Sequence, residues 1–177
     1  MDQKGLPSSY PFLEPCLGCF ENALQALSEQ PGNPVFFSNG DITVNRFLQA
    51  MSRLVPEAKV SVYLFSLFEP TARQLDAMVL REEITSAAVY CSYIDPLLEK
   101  SGYPYPNISI CDGGGCCMNL LHFRGKERNL LISGYAPQGP EKGALHFFQM
   151  YNDTESRSLI ARTVERHYQR FKFHTFE

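Results

Sequence analysis

Lys59 to Tyr93 reads KVSVYLFSLFEPTARQLDAMVLREEITSAAVYCSY, and this stretch decides the fold. Its first part, Lys59 to Phe65, is β-branched and aromatic, the composition of a buried strand. Glu69-Pro70-Thr71 then opens a helix, because proline's fixed φ suits the first helical position, where its missing N–H costs nothing. Leu75, Met78 and Val79 recur at helical spacing and form that helix's buried face. Ile84 to Tyr93 returns to strand composition. Strand, helix and strand in this order predict parallel strands with the helix packed across them.

The same alternation extends upstream. Val44, Phe47, Leu48, Met51 and Leu54 mark one face of an amphipathic helix, with Asp41 or Thr43 placed to cap it and Pro56 to close it. Val35-Phe36-Phe37 is a short strand before it, and Phe20, Ala23, Leu24 and Leu27 give an earlier helix over residues 16–28. Residues 1–15, with Pro7, Pro11 and Pro15, read as an irregular arm. Downstream the pattern changes. A proline-containing loop over residues 95–107, with one helical turn at residues 96–99, precedes strands at residues 108–110, 117–123, 129–133 and 144–151. Gly125-Lys126 reads as a hairpin turn, and Asp153 caps a last helix carrying Leu159, Ile160, Val164, Tyr168 and Phe171. The expected fold is α/β: one domain over residues 1–177, with a mixed, mostly parallel sheet flanked by helices on both faces.

Composition bounds the function. The chain has 177 residues, 44% of them hydrophobic and 20% charged, which is the balance of a globular domain with a real core. A net charge of -3 gives no general electrostatic footprint for nucleic acid or an anionic membrane, and the arginines from Arg157 onward read as a solvated helix face. No apolar segment follows the N-terminal residues and no window reaches membrane-spanning length, so a cytoplasmic protein without a membrane partner is expected. In that compartment the six cysteines are core residues, metal ligands or reactive groups before they are disulfides.

The order of elements resembles one half of the phospholipase D superfamily, particularly its small single-motif members. Thr43 to Tyr93 matches the first part of such a unit, and Cys117 through Leu130-Leu131-Ile132-Ser133-Gly134-Tyr135-Ala136-Pro137 to Tyr151 matches the second. The resemblance implies a His-x-Lys pair, in which the histidine attacks phosphorus and the lysine binds phosphate charge, and a Gly-Ser-x-Asn turn that supplies further donors. Here the His and Lys positions fall at Cys117 and Asn119. The turn becomes Gly134-Tyr135-Ala136-Pro137, keeping only the glycine, and His146 falls near an acidic position of many members. Asn119 cannot supply the lysine's charge and Pro137 has no side-chain donor. The implied reading is a non-catalytic binding or interaction module on a phospholipase D-like scaffold, a homodimer if the family's pairing persists, with nucleic acid or protein as its partner.

Other constellations were weighed on their chemistry. Cys111-Asp112-Gly113-Gly114-Gly115-Cys116-Cys117 gives an alternative, a thiol enzyme with Cys116 or Cys117 as nucleophile and His122 or His146 as base. Its plainer reading is a turn-rich loop beside small buried residues. Cys16 and Cys19 could form one edge of a zinc tetrahedron with Cys111 and Cys116. The second pair has neither a Cys-x-x-Cys nor a His-x-x-x-His spacing, so that signal is half complete and no cofactor is expected. His122 and His146, in aromatic strands, read as satisfied structural histidines. Ser66 and Asp95 end consecutive parallel strands, the rim where open α/β sheets place binding crevices.

Overall fold

A computed structural model of the chain describes residues 12–13, 17–39, 43–112, 119–134 and 145–151. The elements are β1 (Phe12–Leu13), α1 (Leu17–Glu29), β2 (Val35–Asn39), α2 (Val44–Leu54), β3 (Ala58–Leu67), α3 (Glu69–Leu80), β4 (Ile84–Ile94), α4 (Pro96–Lys100), β5 (Ile108–Asp112), β6 (Asn119–Arg124), β7 (Asn129–Gly134) and β8 (Leu145–Tyr151). They form one eight-stranded sheet in the order β1-β2-β8-β7-β6-β3-β4-β5.

β3 and β4 pair parallel, as expected, and β5 extends that parallel part although the pattern changes before it, whereas β2, expected beside them, lies across β8, β7 and β6. The mostly parallel sheet is corrected: β2–β8, β8–β7, β7–β6 and β6–β3 are all antiparallel. The reason is connectivity. A parallel neighbour needs a crossover of a dozen or more residues, whereas β6 and β7 are joined by a tight hairpin. That hairpin closes at Gly125, whose N–H donates to the Arg128 carbonyl at 2.9 Å. A Cβ at Gly125 would stand 2.7 Å from Val55 Cγ1, so this position requires glycine. The irregular arm is corrected in part as well, because Phe12 and Leu13 pair in parallel with Phe37 and Ser38 of β2. Two residues are too few to show a period.

Strand alternation sorts the side chains into two layers. Val60, Val62 and Leu64 of β3, Leu121 and Phe123 of β6, Leu130 and Ile132 of β7, and Phe148 and Met150 of β8 share one core with α1, α2, α3 and α4. The helices contribute Phe20 and Leu24, Phe47 and Met51, Leu75 and Met78, and Leu98 to it. Each large side chain buried there contributes roughly 1.5–3 kcal/mol. Phe148 is central: its ring lies 5.7 Å from Phe36 and 5.0 Å from Phe47. The alternate residues Tyr63, Leu120 and Leu131 form a second cluster on the opposite face, with Tyr90 stacked 4.8 Å from Tyr63. All the described helices lie on the first face. The helix expected from Asp153 onward, which would supply the second layer, lies outside the described residues.

Thr43 is the N-cap of α2 but makes no side-chain cap bond, and Asp41 lies outside the described residues. None of the described helices is long and apolar enough to cross a membrane.

Candidate functional site

The strand register brings the sequence-derived positions to one rim. β6 runs antiparallel to β3, with Tyr63 opposite Leu120, so the start of β6 lies beside the C-terminal half of β3. β7 runs antiparallel to β6, and Asn119 is the register partner of Gly134. β8 begins at the same rim, with Gly134 opposite Phe148 and His146 opposite Ser38 of β2. On the other side of β3, Ser66 pairs with Tyr93, and the Asp95 N–H donates to the Leu67 carbonyl at 3.0 Å. Asn119, Gly134, Ser66, Asp95 and the backbone of His146 therefore share one end of the sheet. Cys117, Tyr135, Cys16 and Cys116 lie outside the described residues, and of the first cysteine pair only Cys19 falls within them, in α1.

Gly134 has a packing reason to be glycine. A Cβ there would come within 2.0 Å of Phe148 Cδ1. The ring that anchors the core lies over this backbone, so the glycine is explained without any catalytic turn. Asn119 is half-buried at the start of β6.

Asp95 is engaged locally. Its Oδ1 accepts the Leu97 N–H at 2.9 Å and so caps α4, with Pro96 at the first helical position. Nearby, Glu69 at the start of α3 accepts the Tyr105 hydroxyl at 2.6 Å and also binds Arg73. These bonds, the Tyr105 one first, hold the Glu69 carboxyl below its ordinary range. The pair ties α3 to the connection between β4 and β5.

Cys111, the penultimate residue of β5, lies beside Tyr90 of β4, and the Cys91 Sγ–H donates to its carbonyl at 4.0 Å. Burial pushes the Cys111 thiol up, the direction opposite to what a nucleophile or a ready metal ligand needs. The segment that follows leaves β5 opposite Cys91 and rejoins the sheet at Asn119, with β4 and β3 between.

The expectation of a satisfied histidine at position 122 is corrected. His122 is buried at 5% exposure between Ser61 and Leu131, and its Nδ1 has no hydrogen-bond partner among the described residues. Burial, reinforced by the Arg124 charge, lowers its pKa to about 4. It is neutral at physiological pH.

The sequence reading missed the apolar character of the rim. Phe65, Phe68, Tyr93 and Leu97, at the ends of β3 and β4 and the starts of α3 and α4, are exposed by 39%, 55%, 50% and 71%. They are four of the five exposed large hydrophobic residues described, and the fifth, Leu80, lies at the far end of α3. In the sequence they look like any other member of their apolar runs. Only their place near the strand ends and helix starts of this rim distinguishes them.

The fold and this rim define an α/β protein with a mixed sheet and an apolar strand-end surface. No family model matches the chain, and no curated protein matches it. Among solved structures, the chain is similar to the crystal structure of polyphosphate kinase from Porphyromonas gingivalis. The two are 8% identical with a TM-score of 0.49, over 80% of this chain and 23% of that one. The chain thus spans less than a quarter of that protein, and neither family nor activity carries over at this level of likeness.

Proposed function

We propose that the chain is a non-catalytic interaction module on a phospholipase D-like scaffold, which pairs with a second copy of itself through the rim of Phe65, Phe68, Tyr93 and Leu97. The observation that carries this reading is the concentration of exposed large apolar residues at the rim where Asn119 and Gly134 meet. Exposed apolar groups gathered at one sheet end, aromatic ones above all, suit a protein contact surface, with Phe65 on the Tyr63 face of the sheet and Tyr93 on the Cys91 face. Asn119 in place of a lysine removes the charge that phosphodiester chemistry of the superfamily's kind needs. Among the described basic residues, Lys59, Arg124, Lys126 and Arg128 lie at the opposite ends of their strands or in the hairpin there, while of those on the helices that start at this rim Arg73 is engaged by Glu69 and Lys100 ends α4, which favours protein over nucleic acid as the partner. The raised Cys111 thiol disfavours Cys111 as a zinc ligand, while Cys116 and Cys117, the nucleophiles of the thiol alternative, lie outside the described residues.

Sedimentation equilibrium tests it. A dimer at micromolar concentration is expected, and Phe68→Asp with Leu97→Asp should leave a folded monomer. A wild-type monomer at 100-fold higher concentration would sink the pairing, and steady turnover of a phosphodiester substrate would sink the non-catalytic reading.

A further inference from the structure

A second polar feature lies at the other end of the sheet and does not depend on the rim. Lys59 of β3 and Arg124 of β6 are direct register partners, so two cations stand side by side across an antiparallel pair. Such partners are separated by about 4.5–5.5 Å at Cα, and like charges placed opposite one another are unfavourable. The usual relief is a carboxylate. Among the described residues neither side chain has an ion-pair partner, and the adjacent Glu57 carboxylate is engaged by Lys126 instead. The row continues on both sides with uncharged groups, Ser86 beside Lys59 and Asn129 beside Arg124. Behind it, in the next row of the same face, Ser61 stands opposite His122. Arg124 Nη2 is 3.4 Å from Ser61 Oγ, which holds the guanidinium over that row. His122 is 5% exposed and its Nδ1 is unpartnered among the described residues. A buried polar atom without a partner is costly and calls for an explanation.

We propose that Lys59 and Arg124, backed by Ser61 and His122, bind a dianionic phosphate group. Two cations with no counter-ion among the described residues match a dianion better than a single carboxylate. The guanidinium fork suits phosphate oxygens, and the ammonium supplies a second point charge. The buried Ser61 hydroxyl accepts from Arg124 and so orients the guanidinium, and the buried His122 ring lies in the next row behind it. The phosphate group can belong to free phosphate or to an ester.

The test uses the full chain at constant ionic strength, held with chloride. Inorganic phosphate and glycerol 3-phosphate are titrated separately while the His122 ring and Arg124 Nε–H resonances are followed. Saturable shifts with phosphate alone identify a free-anion site, and shifts with both identify a site for phosphate esters as well. Lys59→Gln and Arg124→Gln should each weaken binding about tenfold or more, the loss expected for one charge-assisted bond. Lys59→Gln should also raise the melting temperature of the unliganded protein, by relieving the like-charge pair, while removing the rise that phosphate gives the wild type. No saturable shift with either anion, or the same affinity in both variants, overturns the proposal.

Discussion

Asn119 and Gly134 face one another across the β6–β7 hairpin, and the Phe148 ring covers the glycine from the next strand. One glycine thus lies at a strand end of the rim and beneath the ring that links β2, α2 and β8. The first consequence is energetic. Gly134→Ala forces a methyl into space the ring already fills, with the nearest ring carbon at 2.0 Å. Overpacking of this kind costs about 1–3 kcal/mol. Urea unfolding should show that loss, and Gly134→Ala with Phe148→Leu should recover part of it. If the single variant is as stable as wild type, the ring does not hold this position.

Acid should weaken the fold through His122. Its folded pKa lies near 4, below the ordinary value of 6.5, so between these values the unfolded chain binds more protons. The stability His122 allows is therefore complete above about pH 6.5 and is lost as pH falls toward 4. Burial and the Arg124 charge on its own strand both oppose its protonation. The full effect is bounded at about 3 kcal/mol, since one pKa unit corresponds to ~1.4 kcal/mol. Denaturant midpoints measured at several pH values should fall across this window for the wild type and stay flatter for His122→Leu. An unchanged slope in that variant would assign the acid sensitivity to other groups.

How far the sequence shows this arrangement differs from region to region. The strands β3 and β4 and helix α3 are legible because their composition and period are local properties of Lys59 to Ile94. The Asn119–Gly134 pairing is legible too, since counting outward from Arg124 and Asn129 around a tight hairpin leads to it. The place of β8 is not. Its insertion between β2 and β7 rests on Phe36 meeting Phe148 across more than half the chain, and no local period encodes that choice. Hence the antiparallel majority was missed although the hairpin within it was seen. The candidate site follows the same division: the positions of Ser66 and Asp95 at strand ends follow from their local runs, while the exposure of Phe68 and Leu97 depends on what does not cover them.

Asp95 offers a separation of structure from binding. As the cap of α4 it accepts the Leu97 N–H, and loss of such a cap typically costs about 1 kcal/mol. Asp95→Ala should lower the melting temperature, while Asp95→Asn and Asp95→Ser, which keep an accepting oxygen, should retain most of it. Dimerisation through the rim should be unaffected by Asp95→Asn. If Asp95→Asn is as damaging as Asp95→Ala, the charge has a role beyond capping.

Cys111 and Cys91 test the thiol alternative from the chemical side. Cys91 is buried, and burial raises the Cys111 thiol above its ordinary value, so both should be poor thiolates near neutrality. Thiolate is the reacting form, and labelling at pH 7 therefore reads its fraction and its access together. With an uncharged iodoacetamide probe and peptide mapping, both residues should react more slowly than a free model thiol, and unfolding in urea should bring them to its rate. The Cys111 rate should rise steeply with pH, because the thiolate fraction is far from saturated. A Cys111 that labels faster than the model thiol at pH 7 would mean that a cation reaches it in solution. It would also reopen the Cys111–Cys117 loop as a reactive site.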